Sequence, residues 1–286
     1  MGGKLYVVAT PIGNLDDVTE RAKRVLSAAD IIAAEDTRVT QKLLNHLGIS
    51  CKMISNHKYN ERRQQTILLD ELIAGKNIAM VSDAGTPCIS DPGSILVKAA
   101  IECGIEVEGV CGANAVVTAL SISGFSFNAF SFYGFLPRTN KEIRDLFESV
   151  LKTNIPVAVF FESPNRIKHT VNLLKEIIAD SELCVCNDLT KRYEKIYRGT
   201  PKDVFEELDI NPDYDKGEYT IVVKIPYYFK ASASQEASIN TLEAKIVEHM
   251  IKNNCSMKQA INELATMEKL PKKQLYTASL NLKELL

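Results

Sequence analysis

The first 122 residues alternate five times between a short apolar segment and a longer segment with helical periodicity. The apolar segments are four to six residues long and read as buried strands, at residues 5–9, 31–34, 51–55, 77–81 and 105–110. A chain that alternates in this way folds as a parallel sheet with helices on both faces. The pattern therefore predicts the α/β fold class, with a doubly wound, mostly parallel sheet over residues 1–122.

A second α/β domain is predicted over residues 123–228, because the alternation of short apolar and helical segments gives way after Gly124 to an aromatic-rich extended segment. Residues 125–136 carry six aromatic side chains in twelve positions and alternate like an extended segment that bends at Gly134. The rings could stack on bases, and core packing is the alternative that we favour for most of them. Further strands are expected at residues 157–161, 183–187 and 218–225.

The last part of the chain, residues 229–286, is predicted to be a linker followed by a small three-helix module. Small polar residues dominate up to residue 238, and helical periodicity follows at residues 239–252, 257–267 and 272–286. Ser256 is placed to cap the second helix, and Pro271 to open the third. The size and short turns resemble a helix-turn-helix, and a helical oligomerisation or packing appendage is the alternative.

Net charge, cysteine and histidine content, and the length of apolar runs limit the functions that the sequence predicts. The formal net charge is -2 over 286 residues, so any basic footprint for RNA has to be local. Seven cysteines without a C-x-x-C pair indicate free thiols in a reducing, cytoplasmic compartment, and Cys184 and Cys186 are predicted to point to opposite faces of one strand. The four histidines are scattered, so no metal site is predicted. No apolar run approaches the length of a membrane span.

The loop at residues 81–93 is a candidate ligand site, because open α/β sheets bind ligands at the carboxyl ends of their strands. Gly85 allows a close backbone approach, and Asp83 offers a carboxylate to a hydroxyl or a cation. Asp91 is predicted to cap the next helix, with Pro92 as the first helical residue. In the alternative, the loop is only a connector whose aspartates cap helices.

Three charged side chains, Glu35, Asp36 and Arg38, follow the second strand and should meet this loop at the same sheet edge. Three charged groups at the carboxyl end of a strand, beside this loop, indicate a functional site. The alternative is that Asp36 or Thr37 caps the next helix while Glu35 pairs with Arg38. Residues 56–63 follow the third strand with two arginines, a lysine and an aromatic ring, and form either an RNA-facing loop or a solvated surface.

Other loops after strands also carry small or polar residues. Residues 111–115 open a helix with small side chains, which suits either a ligand at the helix N-terminus or tight helix–sheet packing. The loop at residues 10–17 lacks the glycine pattern of a dinucleotide or P-loop site. In the second domain, charged and polar groups again collect after strands; they are Glu162, Arg166, Thr190 and Lys191.

Together these loops resemble the tetrapyrrole-methylase-like, S-adenosylmethionine-dependent methyltransferases, and within them the ribosomal RNA small-subunit methyltransferase I group. The matching segments keep the family's order and lie at residues 10–17, 34–38, 81–93, 134–137, 162–166 and 189–191. The pairing of Glu-Asp-Thr-Arg at residues 35–38 with Ser-Asp-Ala-Gly-Thr-Pro at residues 82–87 is specific to this group. One segment departs from the pattern, because Cys-Gly-Ala-Asn-Ala at residues 111–115 stands where the family has Pro-Gly-(Ala/Pro)-Ser-Ala.

The resemblance implies two α/β domains of the tetrapyrrole methylase type, the second with a mixed sheet, and S-adenosylmethionine folded in the cleft between them. It implies a homodimer that methylates the ribose 2′-oxygen of a cytidine in 16S rRNA, without a metal and without a membrane. The positions implied to line the cofactor are Pro11, Ile12, Asp83, Ala84, Gly85, Thr86, Asn114, Ala115 and Phe161.

For catalysis, the hypothesis is that Glu35 or Asp36 accepts the proton of the ribose hydroxyl, with Glu162 as a second candidate. Arg38, Arg166 and Lys191 would hold phosphate groups of the RNA. Two alternatives stay open at this point. One is a tetrapyrrole (precorrin-type) C-methyltransferase of the same fold, and the other is a non-catalytic ribosome-binding relative.

Overall fold

The computed structural model describes residues 2–226, 242–253, 255–267 and 271–284. The chain divides into two compact units, one of residues 1–147 and 155–225 and the other of residues 148–154 and 226–286. Both sheets belong to the first unit. The predicted linker falls mostly on residues 227–241, which lie outside the described residues. The predicted domain boundaries after residues 122 and 228 stay predictions.

The first sheet has five strands, which are β1 (Lys4–Val8), β2 (Ile31–Ala34), β3 (Lys52–Ser55), β4 (Ile78–Val81) and β5 (Glu106–Val110). They lie in the order β3-β2-β4-β1-β5 and all pair in parallel. The helices between and after them are α1 (Glu20–Ala28), α2 (Thr37–Leu47), α3 (Glu61–Ile73), α4 (Ser94–Glu102) and α5 (Ala115–Ile122). The predicted parallel sheet is confirmed, and the carboxyl ends of its strands meet at one edge.

Strands β2 and β4 are buried along their whole length, because apolar clusters cover both faces of the sheet. One cluster contains Ile31, Ala33, Ile78 and Met80, and the other contains Ile32, Ala34, Ala79 and Val81. Successive residues of a strand point to opposite faces, so alternate residues join alternate clusters. A strand that is covered on both faces needs apolar residues throughout, which explains the continuous apolar runs in the sequence.

The predicted start of α4 is wrong. The helix begins at Ser94, and Gly93 rather than Asp91 occupies the cap position. The Gly93 N–H donates to Glu61 Oε1 at 2.7 Å, so a buried carboxylate from α3 supplies the capping acceptor. Gly93 has a φ of 130°, and a Cβ there would lie 2.7 Å from Met80 Cε, so both the conformation and the space require glycine.

The second sheet is mixed, as predicted. Its strands are β6 (Phe130–Phe135), β7 (Val157–Glu162), β8 (Glu182–Asn187), β9 (Lys195–Gly199) and β10 (Tyr219–Lys224). They lie in the order β6-β7-β10-β8-β9, with β6 parallel to β7 and the other pairs antiparallel. Its helices are α6 (Asn140–Lys152), α7 (Pro164–Ile177) and α8 (Pro201–Ile210). The predicted bend is present, since Gly134 has a φ of 70° and the register shifts between Phe132 and Phe135.

Cys184 and Cys186 do not point to opposite faces of β8. Their Sγ atoms lie 3.8 Å apart, and both side chains are fully buried. The prediction was wrong because residues two apart on a strand share a face. The two thiols pack as small core residues against Val159 and Val222 in one apolar cluster.

The C-terminal helices are α9 (Leu242–Asn253), α10 (Met257–Met267) and α11 (Lys272–Glu284). Their shared core contains Ile246, Ala260, Leu264, Leu275 and Ala278. Ser256 caps α10 as predicted, because the Gln259 N–H donates to its hydroxyl at 3.4 Å. Across the described parts of the chain, no helix is both long enough and apolar enough to cross a bilayer.

Candidate functional site

A cavity of about 350 Å³ lies at the carboxyl edge of the first sheet and is also lined by residues of the second sheet. Eight of the nine predicted cofactor positions line it, namely Ile12, Asp83, Ala84, Gly85, Thr86, Asn114, Ala115 and Phe161. Pro11 is not among the lining residues. Of the predicted catalytic residues, Glu35 and Glu162 line the cavity, whereas Asp36, Arg38 and Lys191 do not. The loops that are distant in sequence therefore meet at one site.

The floor of the cavity joins the loops after β1 and β4. Thr10 N–H donates to Gly85 O at 2.9 Å, and Gly85 N–H donates to Thr10 O at 3.0 Å. Gly85 has a φ of 77°, and a Cβ there would lie 3.3 Å from Ile12 Cγ2. Glycine is required because the left-handed conformation and the close approach of Ile12 both disfavour a side chain. The two loops are therefore joined beside the cavity.

Asn114 stands at the start of α5, where the resemblance led us to expect a serine. Its Oδ1 accepts from the N–H groups of Val116 at 3.0 Å and Val117 at 3.2 Å. Its Nδ2 donates to Thr86 Oγ1 at 3.4 Å, which ties the helix to the loop after β4. Asparagine and serine are comparable N-cap residues, so the helix start is preserved despite the changed segment.

Glu35 and Asp83 connect the loops after β2 and β4 by reciprocal hydrogen bonds. The Asp83 N–H donates to Glu35 Oε2 at 3.3 Å, and the Asp36 N–H donates to Asp83 Oδ1 at 2.9 Å. Burial raises the pKa of Glu35, and the negative charge of Asp83 adds to the rise. Burial also raises the pKa of Asp83, with a contribution from the charge of Asp36. Both carboxylates therefore hold protons more tightly than exposed ones do.

Asp91 is a further carboxylate that lines the cavity, beside Glu35 and Asp83, whereas the sequence predicted it to cap a helix. Burial, followed by the charge of Glu35, raises the pKa of Asp91 to about 6, while a hydrogen bond with Ser82 opposes the rise. Its position within the glycine-rich loop was the available sequence signal. The cavity thus gathers Glu35, Asp83 and Asp91, and negative charge dominates this side of it.

Asp36 pairs with Arg38 at the start of α2. The carboxylate accepts from the Arg38 N–H at 2.8 Å and from its Nη2 at 2.6 Å. These bonds hold the pKa of Asp36 at about 2. Asp36 also caps α2, which was one of the open alternatives, whereas the alternative pairing of Glu35 with Arg38 is not the one observed. The Arg38 side chain is 88% exposed, so it can also reach solvent partners.

Glu162 ends β7 and is 1% exposed. Its Oε1 accepts from the Ser163 N–H at 2.7 Å and from Arg166 Nε at 2.8 Å, and its Oε2 accepts from Thr170 Oγ1 at 2.8 Å. Arg166 also donates to the carbonyl oxygens of Leu136 at 2.9 Å and Pro137 at 2.8 Å. This network fastens α7 to the chain after β6. Each of the three guanidinium nitrogens of Arg166 already donates within the protein, which disfavours the hypothesis that Arg166 holds an RNA phosphate.

Lys191 lies beside the cavity and pairs with acidic neighbours. Its Nζ lies 2.7 Å from Asp188 Oδ1 and 3.0 Å from Glu218 Oε2, and Glu218 lines the cavity. A Cβ at Gly13 would lie 2.4 Å from Lys191 Cγ, so the loop after β1 passes close to the loop after β8. The Asn14 N–H donates to the Thr190 hydroxyl at 3.0 Å, which fastens the two loops together.

The polar segment after β3 presents side chains to solvent. Tyr59 is 94% exposed, and Lys58, Arg62 and Arg63 are exposed as well. These side chains follow a strand whose carboxyl end lies at the same sheet edge as the cavity. Among the aromatic side chains before β7, Phe135 is 61% exposed and lines the cavity, whereas Phe132 packs against the core of the second sheet.

The chain resembles proteins of known function over most of its length. The family model for Tetrapyrrole (Corrin/Porphyrin) Methylases matches residues 4–204. The ribosomal RNA small subunit methyltransferase I of Halalkalibacterium halodurans is 43% identical over 277 residues, which covers 96% of this chain and 93% of that protein. The protein of the same name from Bacillus subtilis is 42% identical over 277 residues, covering 96% of this chain and 94% of that protein. Uroporphyrin-III C-methyltransferase from Thermus thermophilus, solved in complex with S-adenosyl homocysteine, shares the fold with a TM-score of 0.53 at 14% identity, covering 78% of this chain and 97% of that one.

Proposed function

The chain belongs to the tetrapyrrole methylase family and, within it, to the ribosomal RNA small subunit methyltransferase I group, and from that membership we propose that it methylates 16S rRNA. The proposed donor is S-adenosylmethionine, and the proposed acceptor is the ribose 2′-oxygen of a cytidine in the small ribosomal subunit. The proposal includes a homodimeric enzyme in the cytoplasm. The observation that carries it is the cavity in which eight of the nine predicted cofactor positions meet the carboxylate of Glu35.

The cavity walls fit the proposed donor chemically. S-adenosylmethionine supplies an activated methyl group on a positively charged sulfur. Ile12, Ala115 and Phe161 offer apolar surface for the adenosyl group, while Thr86 and Asn114 offer hydrogen-bonding groups. The charges of Glu35, Asp83 and Asp91 attract a cation into this partly buried space.

Glu35 is the proposed proton acceptor. A ribose hydroxyl is nearly neutral at pH 7, so its proton has to leave as the oxygen attacks the methyl carbon. Glu35 lines the cavity, and its raised pKa makes it a stronger base than an exposed carboxylate. Asp36 is a weaker candidate, because its carboxylate is paired with Arg38 and its pKa is about 2. Glu162 is also disfavoured, because Arg166 and Thr170 already occupy its carboxylate.

The proposed RNA contacts lie on exposed side chains around the same sheet edge. Arg38 and the segment at residues 56–63 offer positive charge, and Tyr59 offers a ring on which a base can stack. Lys191 is partly exposed but shares its charge with Asp188 and Glu218, so we expect it to position the loop after β8 more than to bind phosphate.

The test is methyl transfer from labelled S-adenosylmethionine to candidate acceptors. Small ribosomal subunits that lack the modification, naked 16S rRNA and precorrin-type tetrapyrroles are offered in parallel. We expect label in RNA, and nucleoside analysis after digestion should find it in 2′-O-methylcytidine. Label in a tetrapyrrole carbon, or in another position of the RNA, would overturn the proposal.

Calorimetry separates the non-catalytic alternative from the proposed enzyme. A chain that only binds ribosomes has no need of the methyl donor, whereas the proposed enzyme should bind S-adenosylmethionine with one site per chain. The preserved cap by Asn114 supports a working cofactor site.

Light scattering of the same sample tests the proposed dimer.

A further inference from the structure

Three metal-ligating side chains of different chemistry converge in the C-terminal helices. His249 on α9, Cys255 before α10 and Glu263 on α10 each offer one ligand atom, and these atoms lie within 4.8 Å of one another. His249 Nε2 lies 2.6 Å from Glu263 Oε2, and Cys255 Sγ lies 3.9 Å from the His249 carbonyl oxygen. Among the residues that the structure describes, no other such group of three was found. The sequence did not predict this cluster, because Cys255 lies six residues after His249 and Glu263 lies eight residues after Cys255, which is no recognised metal-binding spacing.

The turn between α9 and α10 fixes the positions of these side chains. The Cys255 N–H donates to Met250 O at 3.2 Å, which holds the cysteine under the end of α9. The Ser256 N–H donates to Gln259 Oε1 at 3.0 Å in the cap of α10. The His249 side chain is only 12% exposed, so its imidazole is held by packing, whereas the Glu263 side chain is 50% exposed and can rotate.

We propose that His249, Cys255 and Glu263 bind one Zn²⁺ ion, with solvent in the fourth position. Imidazole nitrogen, thiolate sulfur and carboxylate oxygen are the donors that zinc takes in proteins, whereas Mg²⁺ and Ca²⁺ prefer oxygen alone. A thiolate and a carboxylate together balance the charge of the ion. Binding releases the thiol proton of Cys255 to solvent, and His249 binds the ion through the lone pair of Nε2 while Nδ1 carries the ring proton.

The distances allow this with small side-chain movements. Tetrahedral zinc bonds place ligand atoms about 3.4 Å apart. The contact between His249 and Glu263 has to open by less than about 1 Å, and Cys255 has to close by at most about 1.4 Å. The ion would replace a hydrogen bond between two helices with a direct cross-link, and this should stabilise the three-helix module by binding only the folded form.

Cobalt is the spectroscopic probe for the test. The untagged full chain is reduced, stripped with a chelator and titrated with Co²⁺. We expect one equivalent to produce a sulfur-to-cobalt charge-transfer band and tetrahedral visible bands, and Zn²⁺ to remove both. Cys255→Ser should abolish the charge-transfer band, whereas Cys103→Ser, which changes an exposed thiol outside the cluster, should keep it.

Glu263→Gln keeps a hydrogen-bond acceptor for His249 while it removes the charged ligand. Because even indirect partners of a metal ligand change affinity by tenfold or more, we expect the affinity for Co²⁺ to fall at least about tenfold. Circular dichroism of each variant checks that the helices are retained. A wild-type chain without the charge-transfer band, or a band that survives Cys255→Ser, would overturn the proposal.

Thiol alkylation gives a second readout that does not depend on spectra. Zn²⁺ should slow the alkylation of Cys255 at least about tenfold, because the metal-bound thiolate is no longer free to react. The exposed Cys103 in the same sample serves as the internal control, and its rate should stay unchanged. Equal rates for Cys255 with and without Zn²⁺ would contradict the site.

Discussion

Glu35 and Glu162 stand at equivalent points of the two sheets, and their surroundings differ. Each lies at the carboxyl end of a strand, and each lines the same cavity. Glu162 accepts hydrogen bonds from Ser163, Arg166 and Thr170, and Arg166 balances its charge. Glu35 accepts from the Asp83 N–H and has negative neighbours instead. The same sequence signal, an acid at the end of a strand, therefore gives a structural ion pair in one sheet and a carboxylate with a raised pKa in the other.

The difference shows that neighbouring charge, and not burial alone, decides what a carboxylate can do. Burial disfavours the charged form of any acid. At Glu162 a guanidinium and a hydroxyl donate hydrogen bonds that replace the lost hydration, so the group joins α7 to the end of β7. At Glu35 the charges of Asp83 and Asp36 add to the effect of burial, so the group takes up a proton more readily.

The largest expected effect comes from breaking the pair in the second sheet. Glu162→Gln leaves Arg166 without its counter-charge in a mostly buried position, and we expect the free energy of unfolding to fall by about 3 kcal/mol. Urea denaturation followed by circular dichroism measures the change. A loss below about 1 kcal/mol would show that the hydrogen bonds between Glu162 and Arg166 contribute little to stability.

Glu35→Gln should lower kcat without lowering the free energy of unfolding. Removal of a general base lowers kcat by about a hundredfold, and the substitution also removes repulsion between acids, so the protein should be at least as stable. Methyl transfer to small ribosomal subunits gives kcat, and denaturation gives stability. Asp36→Asn is the matched control, and we expect little loss of kcat from it because Asp36 is paired with Arg38. Equal losses in the two variants would refute the assignment.

The acidic cavity should also give a pH signature. The pKa of Asp91 is raised to about 6 from an ordinary 3.8, so folding favours its protonated form, and this contribution to stability is lost as pH rises from about 4 through 6. Asp91→Asn removes the titration. We expect the variant to be more stable than the wild type by about 1 kcal/mol at pH 7, since partial exposure weakens the effect, and the difference should vanish near pH 4. Denaturation at both pH values measures it; a constant difference would contradict the expectation.

The smallest expected effect is at an exposed pair that joins α6 to α7, the helix that carries Arg166. Arg144 and Glu176 form an ion pair whose side chains are 48% and 59% exposed. Glu176→Gln should change the free energy of unfolding by less than about 0.5 kcal/mol, because solvent and salt screen an exposed pair. The same denaturation series measures it. A loss as large as that of Glu162→Gln would show that burial does not separate the two pairs.

Most of the first sheet could be predicted, because the strands that are buried on both faces leave continuous apolar runs, and glycines at residues 48, 75 and 104 follow three of the helices between the strands. Strand β2 has the predicted bounds, residues 31–34. The start of α4 could not be predicted, because its capping acceptor, Glu61, comes from α3 and is 32 residues away from Gly93 in sequence. Local capping rules do not register such a long-range contact.

The sequence predicted which loops line the cavity better than it predicted the hydrogen-bond partners of each side chain. The loops were expected to meet because parallel strands end at one edge, and they do. The place of Asp91 could not be read from the sequence, because Cys88 and Ser90 both have a φ of 69°. Positive φ is uncommon outside glycine, so sequence patterns do not anticipate a loop that turns back at such residues. The role of Glu162 depended on Thr170 and on backbone acceptors of Arg166, which only the folded chain brings together.

The pair of hydrogen bonds between Thr10 and Gly85 has a consequence for how tightly a ligand can be held. These bonds join the loop after β1 to the loop after β4, and we expect them to restrict the motion of both loops. A guest molecule that settles on them does not have to freeze them, so little conformational entropy is lost on association. We therefore expect the affinity of a ligand at this corner to depend on its new contacts more than on the ordering of the two loops.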